Sequence, residues 1–136
     1  MFEVEGNEIK FLYNSNKMGD RETLAYVKSL HQHVINELDV YQNDMTPTQI
    51  SELANKLEVR IIDLFDRESA YFREQIEGKD VQEKDLLNIL QKEKECLNTP
   101  ILISKHVSKM LDSSAETISL DMVFKNIPPS DETKNQ

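Results

Sequence analysis

One arrangement near the N-terminus limits the folds open to this chain. A short apolar run, a helical stripe and a second β-rich run follow one another within about 35 residues. EIKFLYN (8–14) gathers Ile9, Phe11, Leu12 and Tyr13 and is closed off by polar residues, the pattern of a buried strand. Over 20–30, Leu24, Val27 and Leu30 recur at helical spacing, with Tyr26 beside them. Asp20 stands there either as an N-cap or as a first-turn acid. VINELDVY (34–41), rich in β-branched and aromatic residues, predicts a second strand. Strands joined through a helix run parallel, with a right-handed crossover.

A helical region follows, at about 46–95. Thr46-Pro47 opens its first helix, whose stripe is Ile50, Leu53, Ala54 and Leu57. Ile61, Ile62, Leu64 and Phe65 make a second short segment, 69–76 a third, and 82–94 a fourth carrying Leu86, Leu87, Ile89 and Leu90. NTPILIS (98–104) then turns at Pro100 into a strand, and HVSKML (106–111) returns antiparallel through a tight turn near Lys105. A closing helix is expected over 115–125, on Ile118, Leu120, Met122 and Val123. The order is β-α-β, helical insert, β-β, α. It predicts an α/β fold: a mixed four-stranded sheet of thioredoxin-like topology, with helices packed on it and the insert between the second and third strands. One domain over 1–126 is expected, and a disordered tail over 127–136, where apolar residues almost vanish.

Charge narrows the function classes. A net charge of -9 and a pI near 4.8 argue against a nucleic-acid binder, which needs a basic face for phosphates, and against adhesion to anionic membranes. A basic protein surface fits as a partner. No apolar run approaches the roughly 18 residues of a membrane span, and the start MFEVEGNEIK has acids where a secretory signal has basic and apolar residues. A cytoplasmic protein is the expectation. The acid-rich stretches 52–66 and 74–95 are interleaved with Lys and Arg and read as solvated helix faces.

Few residues carry chemistry by pattern alone. Cys96 is the single cysteine, which excludes an intramolecular disulfide and any CxxC site within the chain. It reads as a small core hydrophobe; as a redox thiol it would have to be exposed and of low pKa. The start of the first helix offers an oxyanion site: backbone N–H groups, the cations Lys17 and Arg21, and the side-chain donors Asn14 and Asn16. Asp20 competes for the same donors as a cap, and a solvated loop is the alternative. Lys17 as a Schiff-base nucleophile would need burial or a cationic neighbour such as Arg21. His31 and His33 alternate, with Glu37 and Asp39 on the same parity, but they precede the strand core, so no metal site is expected. His106 reads as a solvated turn residue. Gly6, Gly19 and Gly78 are too far apart for a phosphate loop.

Three separated stretches nevertheless resemble the arsenate reductase (ArsC)/Spx-like branch of the thioredoxin superfamily. That family opens with a strand, Tyr-Asn-Pro-x-Cys-Ser-x-Ser-Arg and a helix; Tyr13, Asn14, Arg21 and Glu22-Thr23-Leu24 are similar. VINELDVYQNDMTPTQISELANKLEVRIIDLF with Phe72-Arg73-Glu74 resembles its second strand and insert. DLLNILQKEKECLNTPILIS resembles its entry into the third strand, with Pro100 at the family's cis-proline position and Thr99 beside it. The likeness covers 8–123. It implies the thioredoxin-like fold and a glutathione- or thioredoxin-linked oxidoreductase that needs no bound cofactor.

The departures bear on that activity. Lys17 stands where the family has its nucleophilic cysteine, Ser15 replaces the usual proline, and Thr99 replaces an arginine. Asp66, with Arg67 beside it, falls where another oxyanion arginine is usual, and no later arginine lies between Met110 and Val123. The resemblance with these departures implies a catalytically degenerate relative serving as a protein-binding or regulatory module. The alternatives are an oxidoreductase that uses Cys96 and a small-anion sensor near Lys17 and Arg21.

Overall fold

β1 (Glu8–Tyr13) is the strand around which the sheet assembles, because its side chains alternate between two cores. The computed structural model describes residues 2–29 and 33–111. β2 (Val34–Asp39) pairs parallel to β1, Glu8 opposite Val34 and Tyr13 opposite Asp39. On the other side β3 (Ile101–Ser104) runs antiparallel, with Leu12 opposite Ile101. β4 (Ser108–Met110) pairs antiparallel to β3. The order β2-β1-β3-β4 is the mixed thioredoxin-like sheet that the sequence predicts.

Ile9, Phe11 and Leu102 face α1 (Met18–Ser29), which contributes Val27 to that core. Leu12, Ile101 and Ile103 face the other way, into a core built with Ile50, Leu53, Leu64, Leu86 and Leu90 of the insert. β3 is buried along its whole length, so its sequence is a continuous apolar run rather than an alternation. The β3–β4 turn is held by Ser104, whose hydroxyl donates to the Val107 carbonyl at 2.7 Å and accepts the Val107 N–H at 2.8 Å.

Local signals in the insert behave as capping chemistry dictates. α2 (Pro47–Leu57) opens on a capping box: Thr46 Oγ1 accepts the Gln49 N–H at 3.1 Å, and Gln49 Oε1 accepts the Thr46 N–H at 3.0 Å. It ends at Glu58, in the left-handed region at φ 58°. A 3₁₀ turn, Ile61–Leu64, leads on to α3 (Ala70–Gln75), capped by Ser69. α4 (Glu83–Lys92) buries Leu86 and Leu90.

Several boundaries differ from the sequence reading. α1 begins at Met18, before Asp20. β2 stops at Asp39 rather than residue 41, because the Asp39 carboxylate accepts the Tyr41 N–H and turns the chain. α4 stops at Lys92 and a 3₁₀ turn, Lys94–Cys96, follows. Only Ile101 to Ser104 of the 98–104 run are strand. The helix expected over 115–125, the tail from 127, Leu30 and His31 lie outside the described residues. Among the described residues no helix is long and apolar enough to cross a membrane.

The two ends of α2 give substitutions of opposite sign. Thr46→Ala removes the cap and lowers unfolding stability by about 1 kcal/mol. Glu58→Gly relieves the left-handed backbone and raises it by about 0.5 kcal/mol. Urea unfolding midpoints that move together, or not at all, would contradict this account of the helix ends.

Candidate functional site

The chain leaving β1 must turn at residues 14–17 before α1 can begin, and each backbone N–H of that turn has an acceptor within the protein. The Asn14 N–H donates to Asp20 Oδ2 at 2.8 Å and the Ser15 N–H to Asp39 Oδ1 at 3.0 Å. The Asn16 N–H donates to Asn14 Oδ1 at 2.8 Å, and the Lys17 N–H to the Asn14 carbonyl at 3.0 Å. Asp20 is therefore the first-turn acid of the two sequence readings. It is fully buried, and one carboxylate oxygen reaches back to the strand end while Oδ1 has no hydrogen-bond partner. Burial pushes the Asp39 carboxyl up, but the hydrogen bonds it accepts from Ser15, Tyr41 and Gln42 outweigh this and hold it below the usual carboxylate range.

The four side chains gathered by sequence for an oxyanion have separate placements. Asn14 is buried, and its Nδ2 donates to the Lys94 carbonyl at 3.4 Å. Lys17 Nζ donates to the Leu97 carbonyl at 3.2 Å. Both thus tie the turn to the segment that leads into β3. Arg21 curls onto its own loop, donating from Nη1 to the Ser15 carbonyl at 2.7 Å, and Asn16 is exposed.

A second backbone pairing brings the insert to the same place. Phe65 bridges Leu97 antiparallel; the Asp66 N–H donates to the Cys96 carbonyl and the Asn98 N–H to the Leu64 carbonyl, each at 2.7 Å. Asp66 and Glu68 consequently share a cleft of about 420 Å³ with Lys17, Asn98 and Thr99. Met110 and Leu111 supply its apolar wall. The Thr99–Pro100 peptide is cis, as the resemblance implies for Pro100. Thr99 is 1% exposed, and its Oγ1 has no hydrogen-bond partner. Arg67 points elsewhere: it pairs with Asp63 at 3.1 Å and lies over the Phe72 ring.

Cys96 is fully buried, next to this cleft in sequence but inside the core. Burial pushes its thiol up to about 11, with weaker opposing effects from the Ser69 hydrogen bond and Lys17 on one side and Glu95 and Glu93 on the other. Of the residues weighed as metal ligands, Glu37 pairs with Lys28 at 2.6 Å and Asp39 is engaged by the turn. Among the described residues no cluster of three His, Cys, Asp or Glu could hold a metal. His106 is exposed in the β3–β4 turn. Sequence spacing missed Glu68, Asn98, Met110 and Leu111 as cleft residues and Asp39 as a clamp of the turn, all set by long sequence separations; Asp20 acts locally, but on the strand end rather than as a helix cap.

No family model matches the chain, and no curated protein matches its sequence. Solved structures do match in fold. The arsenate reductase from Vibrio cholerae superposes with a TM-score of 0.70 over 90% of this chain and 100% of that one, at 11% identity. An ArsC family related protein from Bacteroides fragilis gives 0.64 over 85% and 98%, at 8% identity. A possible arsenate reductase from Streptococcus mutans gives 0.60 over 83% and 97%, at 13%. The chain therefore has the fold of arsenate reductases and ArsC-family proteins.

The depressed Asp39 pKa sets a sign for acid behaviour. Its contribution is present above the unfolded carboxylate value, about 4, and is lost as pH falls through the lower folded value. Asp39→Asn, which keeps an acceptor but no charge, lowers stability at neutral pH by about 1 kcal/mol and flattens the stability curve in acid. Unfolding curves collected from pH 7 down to about 3 check this; identical acid slopes for variant and wild type would refute it.

Proposed function

We propose that this chain is a catalytically degenerate relative of the ArsC/Spx-like proteins, a binding module rather than a reductase, and that the cleft beside Lys17 receives a protein partner. One observation carries the reading. The only cysteine, Cys96, is closed inside the core with its thiol pushed up to about 11, while Lys17, where the family pattern has its nucleophile, donates its ammonium to the Leu97 carbonyl. Thiol-based reduction needs an accessible thiolate. A thiol of that pKa is thiolate to only about one part in ten thousand at neutral pH, and the fold gives it no contact with solvent.

The turn supports the same reading. Its N–H groups from Asn14 to Lys17 are spent on internal acceptors, so these four donors are not free for an oxyanion. The cleft remains as a shaped, mixed polar and apolar concavity, of a size that suits a peptide side chain or small ligand.

Arsenate reduction coupled to glutathione–glutaredoxin and to thioredoxin, wild type beside Cys96→Ser, tests the proposal. The expected result is no turnover above the protein-free rate from either, with Cys96 unreactive to a thiol reagent until denaturant is added. Turnover that disappears in Cys96→Ser would overturn the reading and move the chemistry to that thiol.

A further inference from the structure

The charge on the cleft walls runs against an anion. Two carboxylates, Asp66 and Glu68, line it against one ammonium; Lys17 donates to the Leu97 carbonyl and Asp66 Oδ1 accepts the Glu68 N–H at 3.0 Å, which leaves a net negative lining. Thr99 lines the same cleft and, though 99% buried by its 1% exposure, keeps a hydroxyl with no hydrogen-bond partner. A buried polar group in that state carries a desolvation cost that a ligand donor or acceptor would offset. Met110 and Leu111 give one side of the cleft an apolar surface, and Met18, 66% exposed, follows Lys17 in the chain.

We infer that this cleft takes a basic side chain, arginine or lysine, presented by an extended segment of a protein partner. The inference rests on the reading of the cleft as a non-redox partner site. An arginine or lysine has the two parts the cleft asks for: an alkyl stem to lie on Met110 and Leu111, and a cationic head for the carboxylates of Asp66 and Glu68. The Thr99 hydroxyl gains in the complex the hydrogen bond it lacks in the free chain. The net charge of -9 acts in the same direction at longer range, since it steers a basic partner toward the protein and repels an acidic one.

The test is an NMR titration of the ¹⁵N-labelled full chain with the peptide acetyl-Ala-Ala-Arg-Ala-Ala-amide, its norleucine counterpart, and inorganic phosphate. The arginine peptide is expected to shift the amides of Asn98, Thr99 and Leu111 saturably, with a Kd of about 1 mM or tighter. The norleucine peptide and phosphate should leave those amides in place. Asp66→Asn with Glu68→Gln should weaken the arginine peptide by about tenfold or more. Should that pair of changes disturb the fold, Glu68→Gln alone, at an exposed position, carries the comparison. Thr99→Val should weaken binding while leaving Tm unchanged or higher, because it deletes an unpaired buried hydroxyl.

Absent saturable shifts, equal binding of the norleucine peptide, unchanged affinity in the charge-neutral variant, or phosphate at these same amides would each overturn the inference. These outcomes are separable from failure of the non-redox reading. Cys96-dependent turnover refutes that reading by itself, whereas the titration reports only on which charge the cleft accepts.

Discussion

Asp20 and Asp39 each accept a backbone N–H from the turn between β1 and α1, and the geometry of the whole candidate site follows from those two bonds. A parallel β1–β2 pair needs the chain to leave the sheet at the end of β1 and cross over a helix. The turn that does so is short and partly buried, so its donors must find acceptors. One carboxylate comes from the helix that follows and the other from the end of the neighbouring strand. Together they fix where α1 begins and hence where Lys17 stands. Crevices at the carboxyl ends of strands are the usual ligand positions of open α/β sheets, and this cleft lies at the end of β1.

The opposite wall depends on a different pairing. The Phe65–Leu97 bridge and the two 2.7 Å backbone bonds beside it hold the insert against the segment before Pro100. Lys17 and Asn14 reach across to that segment from the turn, closing a continuous frame from β1 through the insert to β3. Cys96 faces the interior of this frame, where its thiol behaves as packing. The same backbone carries Asp66 and Thr99 into the cleft. Burial of the thiol and the acidic lining of the cleft are therefore two consequences of one local pairing.

Much of the fold was legible because it rests on short-range patterns. The run Ile9, Phe11, Leu12, Tyr13, the stripe Ile50, Leu53, Ala54 and the Thr46-Pro47 opening each give their element away within a few residues. Pro100 marked the entry to β3. Boundaries were less legible where a side chain acts on a backbone beyond its neighbours: Asp39 ends β2 by accepting the Tyr41 N–H, which β-propensity alone does not register. The site was least legible. Asn14, Asn16, Lys17 and Arg21 are close in sequence and suggested one anion cradle, yet Asn14 and Lys17 reach toward residues 94–97 while Arg21 folds onto Ser15. Glu68 and Met110 join the cleft from segments more than 40 residues apart, a relation set by the sheet and the insert rather than by any local motif.

Amide hydrogen exchange at Asn14, Ser15, Asn16 and Lys17, with and without saturating arsenate, probes the internally satisfied turn most directly. Protection of these amides comparable to the adjoining end of β1 is expected in the free chain, with no further change on adding arsenate. Free-chain exchange at unprotected loop rates, with protection appearing only when arsenate is present, would mean that the turn is an open oxyanion cradle and would contradict the account.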